Sequence, residues 1–202
     1  MREMVQGRAA STRQTLINAT ARRLSETDES ELRIADICED TGFSSSVIYS
    51  NFRSRQGLID ATFLSMYAEQ VRRYVQLLRD YTKTADSLTS LLAFYRDGDT
   101  EAGTQAALER FRRIRLRVST AALARPELQR EFVLIQEEYL TSMAKLIEEV
   151  QERGVLGRRL SARQLAVLLE GYSFARALND VSLHPETTES WMQILLLLLE
   201  NL

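Results

Sequence analysis

Apolar residues recur along the chain at three- and four-residue intervals, the repeat of helices that bury one face. Leu16, Ile17, Thr20 and Leu24 share one side of a first helix, which Ser11 and Gln14 open as a capping box and which ends near Ser25. Ile34, Ile37, Cys38 and Thr41 predict a short second helix that stops at Gly42. A third is predicted from Ser45 to Phe52, where Ile48 and Phe52 point inward and turn Ser45, Ser46, Tyr49 and Ser50 to solvent. Ser54 then caps a rod to about Tyr81, with Phe63, Met66, Tyr67, Tyr74, Leu78 and Tyr81 on one stripe; at 1.5 Å per residue it is roughly 40 Å long. Further helices are predicted at about 86–96, 102–124, 127–153, 162–180 and 187–202. Ser161 with Gln164 forms a second capping box, Pro126 and Pro185 suit first-turn positions, and Gly154 and Gly157 break the chain.

The reading is all-α: an N-terminal three-helix unit containing a helix-turn-helix, 1–56, joined by the rod to a helical body, 57–202. Composition agrees, since 8 Gly and 2 Pro in 202 residues are too few for the turns of a sheet protein. Hydrophobic residues at 45% and charged residues at 27% describe an ordinary globular chain.

Several function classes fall away. Cys38 is the only cysteine, which excludes an intramolecular disulfide and fits a reduced, cytoplasmic setting. With one Cys and one His, a metal site built from several such ligands is excluded, and no cofactor is implied. Cys38 and His184 are read as structural, His184 as a cap for the last helix. No phosphate-cradling Gly loop and no Ser/His/Asp arrangement can be assembled, so the chain is not read as an enzyme. The start of the chain lacks a secretory signal, and the longest apolar run, Ile194 to Leu199, is far short of the roughly 20 residues of a membrane helix. A net charge of -2 gives nucleic-acid binding no overall support, so any such site must be local.

One segment is locally suited. From Thr41 to Ile59 there is no acidic residue, and two short helices around a Gly turn, the second with a small polar outer face, match a recognition helix entering a major groove. The segment resembles the TetR family of transcriptional regulators, whose pattern runs Gly, aliphatic, Ser, four further positions, Tyr, any residue, His, Phe and a downstream Lys. Those positions here are Gly42, Phe43, Ser44, Ser45, Ser46, Val47, Ile48, Tyr49, Ser50, Asn51, Phe52 and Arg55. The motif covers roughly residues 12–60.

The resemblance implies a homodimer, a ligand-binding body, and a repressor on a pseudo-palindromic operator of double-stranded DNA. Base contacts carried over fall on Ser45, Ser46 and Val47, beside Ser44 in the turn, and phosphate contacts on Tyr49, Asn51 and Arg55. Arg33, and Arg2 and Arg8 in an N-terminal arm, are further phosphate candidates. Asn51 replaces the usual His, Arg55 the usual Lys, and Arg33 a Thr. Asp28 and Glu29 replace a Gly and an aromatic residue, so the loop between the first two helices is expected to be built differently.

In the body, Phe94, Phe111, Ile114, Phe132, Tyr139, Met143, Tyr172 and Arg176 are candidates to surround an apolar or amphipathic small-molecule effector. Arg110, Arg112, Arg113, Arg115 and Arg117 spread around one helix and read as a solvated or domain-bridging surface, some of them tying the helix to acids near the DNA-binding unit. The final helices are apolar nearly all round, which predicts a dimer interface including Leu168, Gly171, Ala175, Leu178, Trp191, Leu195 and Leu198. A helical dimerisation or adaptor protein that never touches DNA is the competing reading, and a small all-α enzyme a third.

Overall fold

The computed structural model describes the backbone of residues 2–91, 102–182 and 185–200, and the side chains of 10–91, 108–178, 190 and 193–199. Its helices with described bounds are α1 (Arg2–Glu26), α2 (Ile34–Thr41), α3 (Ser45–Phe52), α4 (Arg55–Thr84), α5 (Ala102–Ala124), α6 (Pro126–Glu152), α7 (Ala162–Ser182) and α8 (Pro185–Glu200). Residues 88–91 begin a further helical turn, and among the described residues there is no strand. Phe94, His184 and the side chains of Arg2, Arg8 and Trp191 lie outside the described residues. The chain divides into two compact units, Met1–Met66 and Tyr67–Leu202, the division falling inside α4.

In the first unit α1 packs on α2 and α2 on α3. Leu16, Ile37, Ile48 and Leu58 are fully enclosed, each contributing about 1.5–3 kcal/mol relative to exposure. α1 starts at Arg2, not at Ser11. Residues 2–10 are mostly good helix formers, and the single Gly7 costs only about 1 kcal/mol, so nothing halts the helix before Ser11. Gln14 reaches forward to Asn18 Oδ1 at 2.9 Å rather than back to a capping position. Arg2 and Arg8 therefore belong to a helix and not to an arm. Arg23 clasps Asp40 with two hydrogen bonds of 2.7 and 2.6 Å, joining α1 to α2. That pairing holds the Asp40 carboxyl below its ordinary range. The contribution of a carboxylate lowered in this way is complete above its unfolded value and is lost as pH falls through the folded one. Asp40→Asn should therefore flatten the acid limb of the stability curve below about pH 4, as read by urea titration across pH.

In the second unit α5, α6 and α7 pack on one another and α8 lies against α7. The Ser161 capping box is formed: Gln164 N–H donates to Ser161 Oγ at 3.2 Å and Ser161 N–H to Gln164 Oε1 at 2.9 Å. At the far end of α6, Arg153 donates to the carbonyls of Lys83 and Thr82, satisfying the C-terminus of α4. The core is aromatic, with Tyr74 stacked on Phe111 at 4.5 Å between ring centres and Tyr139 at 5.8 Å from Phe111.

Two arginines of α5 break the sequence expectation. Arg115 is 1% exposed and Arg112 8%. Arg115 pairs with Glu170 of α7 at 2.8 Å and lies 4.0 Å over the ring of Phe174. Its acid is in the body and not near the N-terminal unit. Glu170 also accepts from Gln136, whose carbonyl oxygen accepts a hydrogen bond from the Tyr67 hydroxyl at 2.5 Å. A buried polar chain thus links α4, α6, α7 and α5 within one unit.

Candidate nucleic-acid interface and body cavities

The turn before α3 is made by Gly42, whose φ of 71° is the left-handed conformation that glycine adopts without strain. Its N–H donates to the Cys38 carbonyl at 2.8 Å, which ends α2. Ser44, extended, precedes α3. Ile48 is fully buried and Phe52 nearly so, and Arg13 of α1 sits 4.8 Å over the Phe52 ring. The opposite face, Ser45, Ser46, Tyr49 and Ser50, is exposed, with Tyr49 at 48%. These side chains are short or flat and none is charged, so base edges can come close. Ser44 and Arg33 are exposed as well, and Val47 is half-buried. Asn51 donates to the Val47 carbonyl of its own helix at 2.8 Å.

Arg55 is directed elsewhere than the motif suggested. Its Nε donates to the Leu32 carbonyl at 2.7 Å and one Nη to the Glu29 carbonyl. Gln56 adds a bond to the Glu29 carboxylate at 3.1 Å. Together they strap the α1–α2 loop to the start of α4, and this is how the loop manages without the Gly and aromatic pair of the family pattern.

Two features of the α3–α4 corner carry no sequence signal. Arg53 has φ 66°, the one described non-glycine residue with positive φ; it is exposed and its N–H closes α3 on the Tyr49 carbonyl at 2.8 Å. That backbone costs an L-residue roughly 1–2 kcal/mol, so Arg53→Gly should raise the unfolding free energy by about 1 kcal/mol in urea titration. Gly57, held by Ser54 Oγ accepting its N–H at 2.9 Å, leaves no room for a side chain: a Cβ there would stand 2.1 Å from the Phe52 carbonyl oxygen. Gly57→Ala must push α3 away from α4, at about 2 kcal/mol, visible as a lower melting temperature.

Among the described residues, those expected around one effector are divided between several cavities and the core. Phe111, Tyr172 and Arg176 line a cleft with Tyr74 and Arg112. Met143 lines a second, almost wholly apolar cavity with Leu78, Leu146, Val150 and Leu199, and half-buried Phe132 borders a third, open groove. Tyr139 and Ile114 are core, 1% and 7% exposed. Periodicity places all of these inward and does not say which side faces a void. Tyr67 and Tyr139 have phenols pushed well above their ordinary value by burial, so they stay neutral.

On the last two helices, Val167, Leu178, Ile194, Leu197 and Leu198 are exposed apolar side chains. Leu168 and Ala175 are half-buried, and Gly171 is exposed with open space over its Cα. Leu195 is not on that outer face: at 3% exposure it is packed in its own body, because the run of leucines in α8 covers both the inner and outer sides of one helix. Among the described residues no group of acidic, His and Cys side chains has the arrangement of a metal site. No described helix is long and apolar enough to cross a membrane.

The fold is that of the TetR-family transcriptional regulators. The chain is similar over its length to a TetR-family regulator from Cytophaga hutchinsonii, with a TM-score of 0.68 at 14% identity, covering 94% of this chain and 93% of that one. It is also similar to a TetR-family regulator from Pectobacterium atrosepticum, with a TM-score of 0.64 at 22% identity and coverage of 97% and 96%. A transcriptional regulator from Saccharomonospora viridis in complex with choline gives a TM-score of 0.56 at 17% identity, with coverage of 92% and 94%. No family model and no curated protein matches the sequence.

Proposed function

We propose that this chain is a TetR-type DNA-binding regulator: a homodimer that represses from a pseudo-palindromic operator in the cytoplasm and releases it when a small molecule enters the body. The observation that carries the reading is α3 itself, buried on its Ile48 and Phe52 side and presenting an uncharged face of Ser45, Ser46, Tyr49 and Ser50. Two such helices, fixed by a dimer, enter successive major grooves about one helical turn apart.

In this reading Ser45, Ser46 and Val47 meet base edges while Tyr49, Arg53 and the exposed Arg33 meet phosphate. Arg55 contributes through the loop it holds, and Asn51 first has to release the Val47 carbonyl. The N-terminal unit is proposed to bind DNA and the remainder to dimerise and bind effector. Exposed apolar groups on α7 and α8 support an isologous four-helix interface. The effector part is supported by the cavities of the body and by the choline held in a neighbour of the same fold. A coupling of roughly 1–3 kcal/mol between the ligand and DNA states suffices for a switch.

The test is selection of bound duplexes from a random pool by the full-length protein. The reading predicts enrichment of inverted repeats. Recovery of unenriched sequence, with no retained duplex at low salt, would leave the adaptor reading in its place.

A further inference from the structure

We propose that the effector cleft between α4, α5 and α7 is selective for an organic anion, a carboxylate carried on a flat or apolar body. The proposal rests on the ligand-responsive reading above and adds the chemistry of the ligand. The walls of the cleft divide into two kinds. Tyr74 and Phe111, stacked at 4.5 Å, make an apolar floor. Arg112 and Arg176, with the Tyr172 hydroxyl and Ser173, make the polar side. A second cleft shares Tyr74, Leu108 and Phe111 and adds Arg73 and Arg110. Among the described residues no Asp or Glu lines either one.

One buried donor at this place lacks an acceptor among the described residues. Arg176 uses one Nη on the Tyr172 hydroxyl at 3.3 Å, while its Nε is buried with no acceptor among the described residues. Buried N–H groups without acceptors are costly, and guanidinium groups more so. A carboxylate supplies the missing acceptor, and the planar guanidinium fork matches it bidentately. Tyr172, kept protonated by burial, accepts from Arg176 and holds that guanidinium at the polar wall of the cleft. A cation such as the neighbour's choline is disfavoured by the same field.

The experiment is calorimetric titration of the full-length protein, without DNA, with benzoate, phenylpropanoate and octanoate, each beside its primary amide, and with phenyltrimethylammonium. The expected result is saturable binding of carboxylate. The matching amide should bind roughly 10–100-fold more weakly, the loss of one or two charge-assisted hydrogen bonds. Arg176→Gln should bring carboxylate affinity down to that of the amide, and Arg176→Lys should recover part of it, with the far-UV spectrum of both unchanged. Absence of saturable binding by all three carboxylates, equal affinity for the amides, or preference for the ammonium ion overturns the proposal. Duplex binding is measured separately: carboxylate binding without duplex binding removes the regulator reading and leaves the anion site, and the converse removes the anion site alone.

Discussion

Arg55→Met should destabilise the N-terminal unit by about 3 kcal/mol, the loss of two hydrogen bonds from a charged donor to the carbonyls of Leu32 and Glu29. Against a total of roughly 5–15 kcal/mol this is a large fraction. The loss should be local. Hydrogen exchange of amides across residues 28–52 should accelerate, while α6 keeps its protection. A mere phosphate contact predicts something else: unchanged exchange, and a salt slope of DNA binding smaller by about one. Arg55→Lys separates the two roles, because an ammonium keeps the charge and cannot span both carbonyls in one plane. Lys should restore the salt slope and leave exchange fast.

Arg115→Met is the corresponding change in the body. It leaves Glu170 with Gln136 for company and no counter-charge, in a place where the pair's side chains are 2% and 16% exposed. Removing one partner of a buried ion pair costs about 3–5 kcal/mol, chiefly because the other remains desolvated; the residual exposure of Glu170 sets the expectation near 3. The double variant Arg115→Met with Glu170→Gln should recover most of it, since a neutral amide accepts from Gln136 without needing a cation. Urea titration of the four proteins reads the cycle. Failure of the double variant to recover would mean that the contact of Arg115 with Phe174, at 4.0 Å, matters more than its charge.

The contrast between these arginines and α3 shows what a sequence discloses about such a protein. The helix α3 is legible because Gly42, Ile48 and Phe52 state their own burial and backbone demand through residue type and spacing. The Ser161 capping box is legible for the same reason, being an interaction across three residues. Arg55 is legible only as a basic residue at the right place, because its partners are backbone carbonyls, which every residue has. Arg115 is hidden differently: its acid lies 55 residues away, and a helix with arginines on every side gives no sign of which one is neutralised. Arg53 conceals its positive φ because the corner is forced by its neighbours, the buried Phe52 on one side and the cap Ser54 on the other. Ser11 misleads because a capping pattern marks a helix start only where the preceding residues resist the helix, and residues 2–10 do not. The leucines of α8 predict burial on both sides but not that Leu195 and Leu199 are the inward ones.

If the outer face of α3 lies against DNA, as proposed, a charge placed there abolishes binding. Ser46 is exposed and its hydroxyl meets only Ser44 Oγ, at 2.8 Å, among the bonds seen, so Ser46→Glu should leave the melting temperature in place. Anisotropy titration of a selected duplex should show wild-type affinity falling steeply with salt and Ser46→Glu failing to bind at any salt concentration. Wild-type affinity in the Glu variant would contradict the account, because a carboxylate cannot sit in the groove among phosphates without a measurable loss.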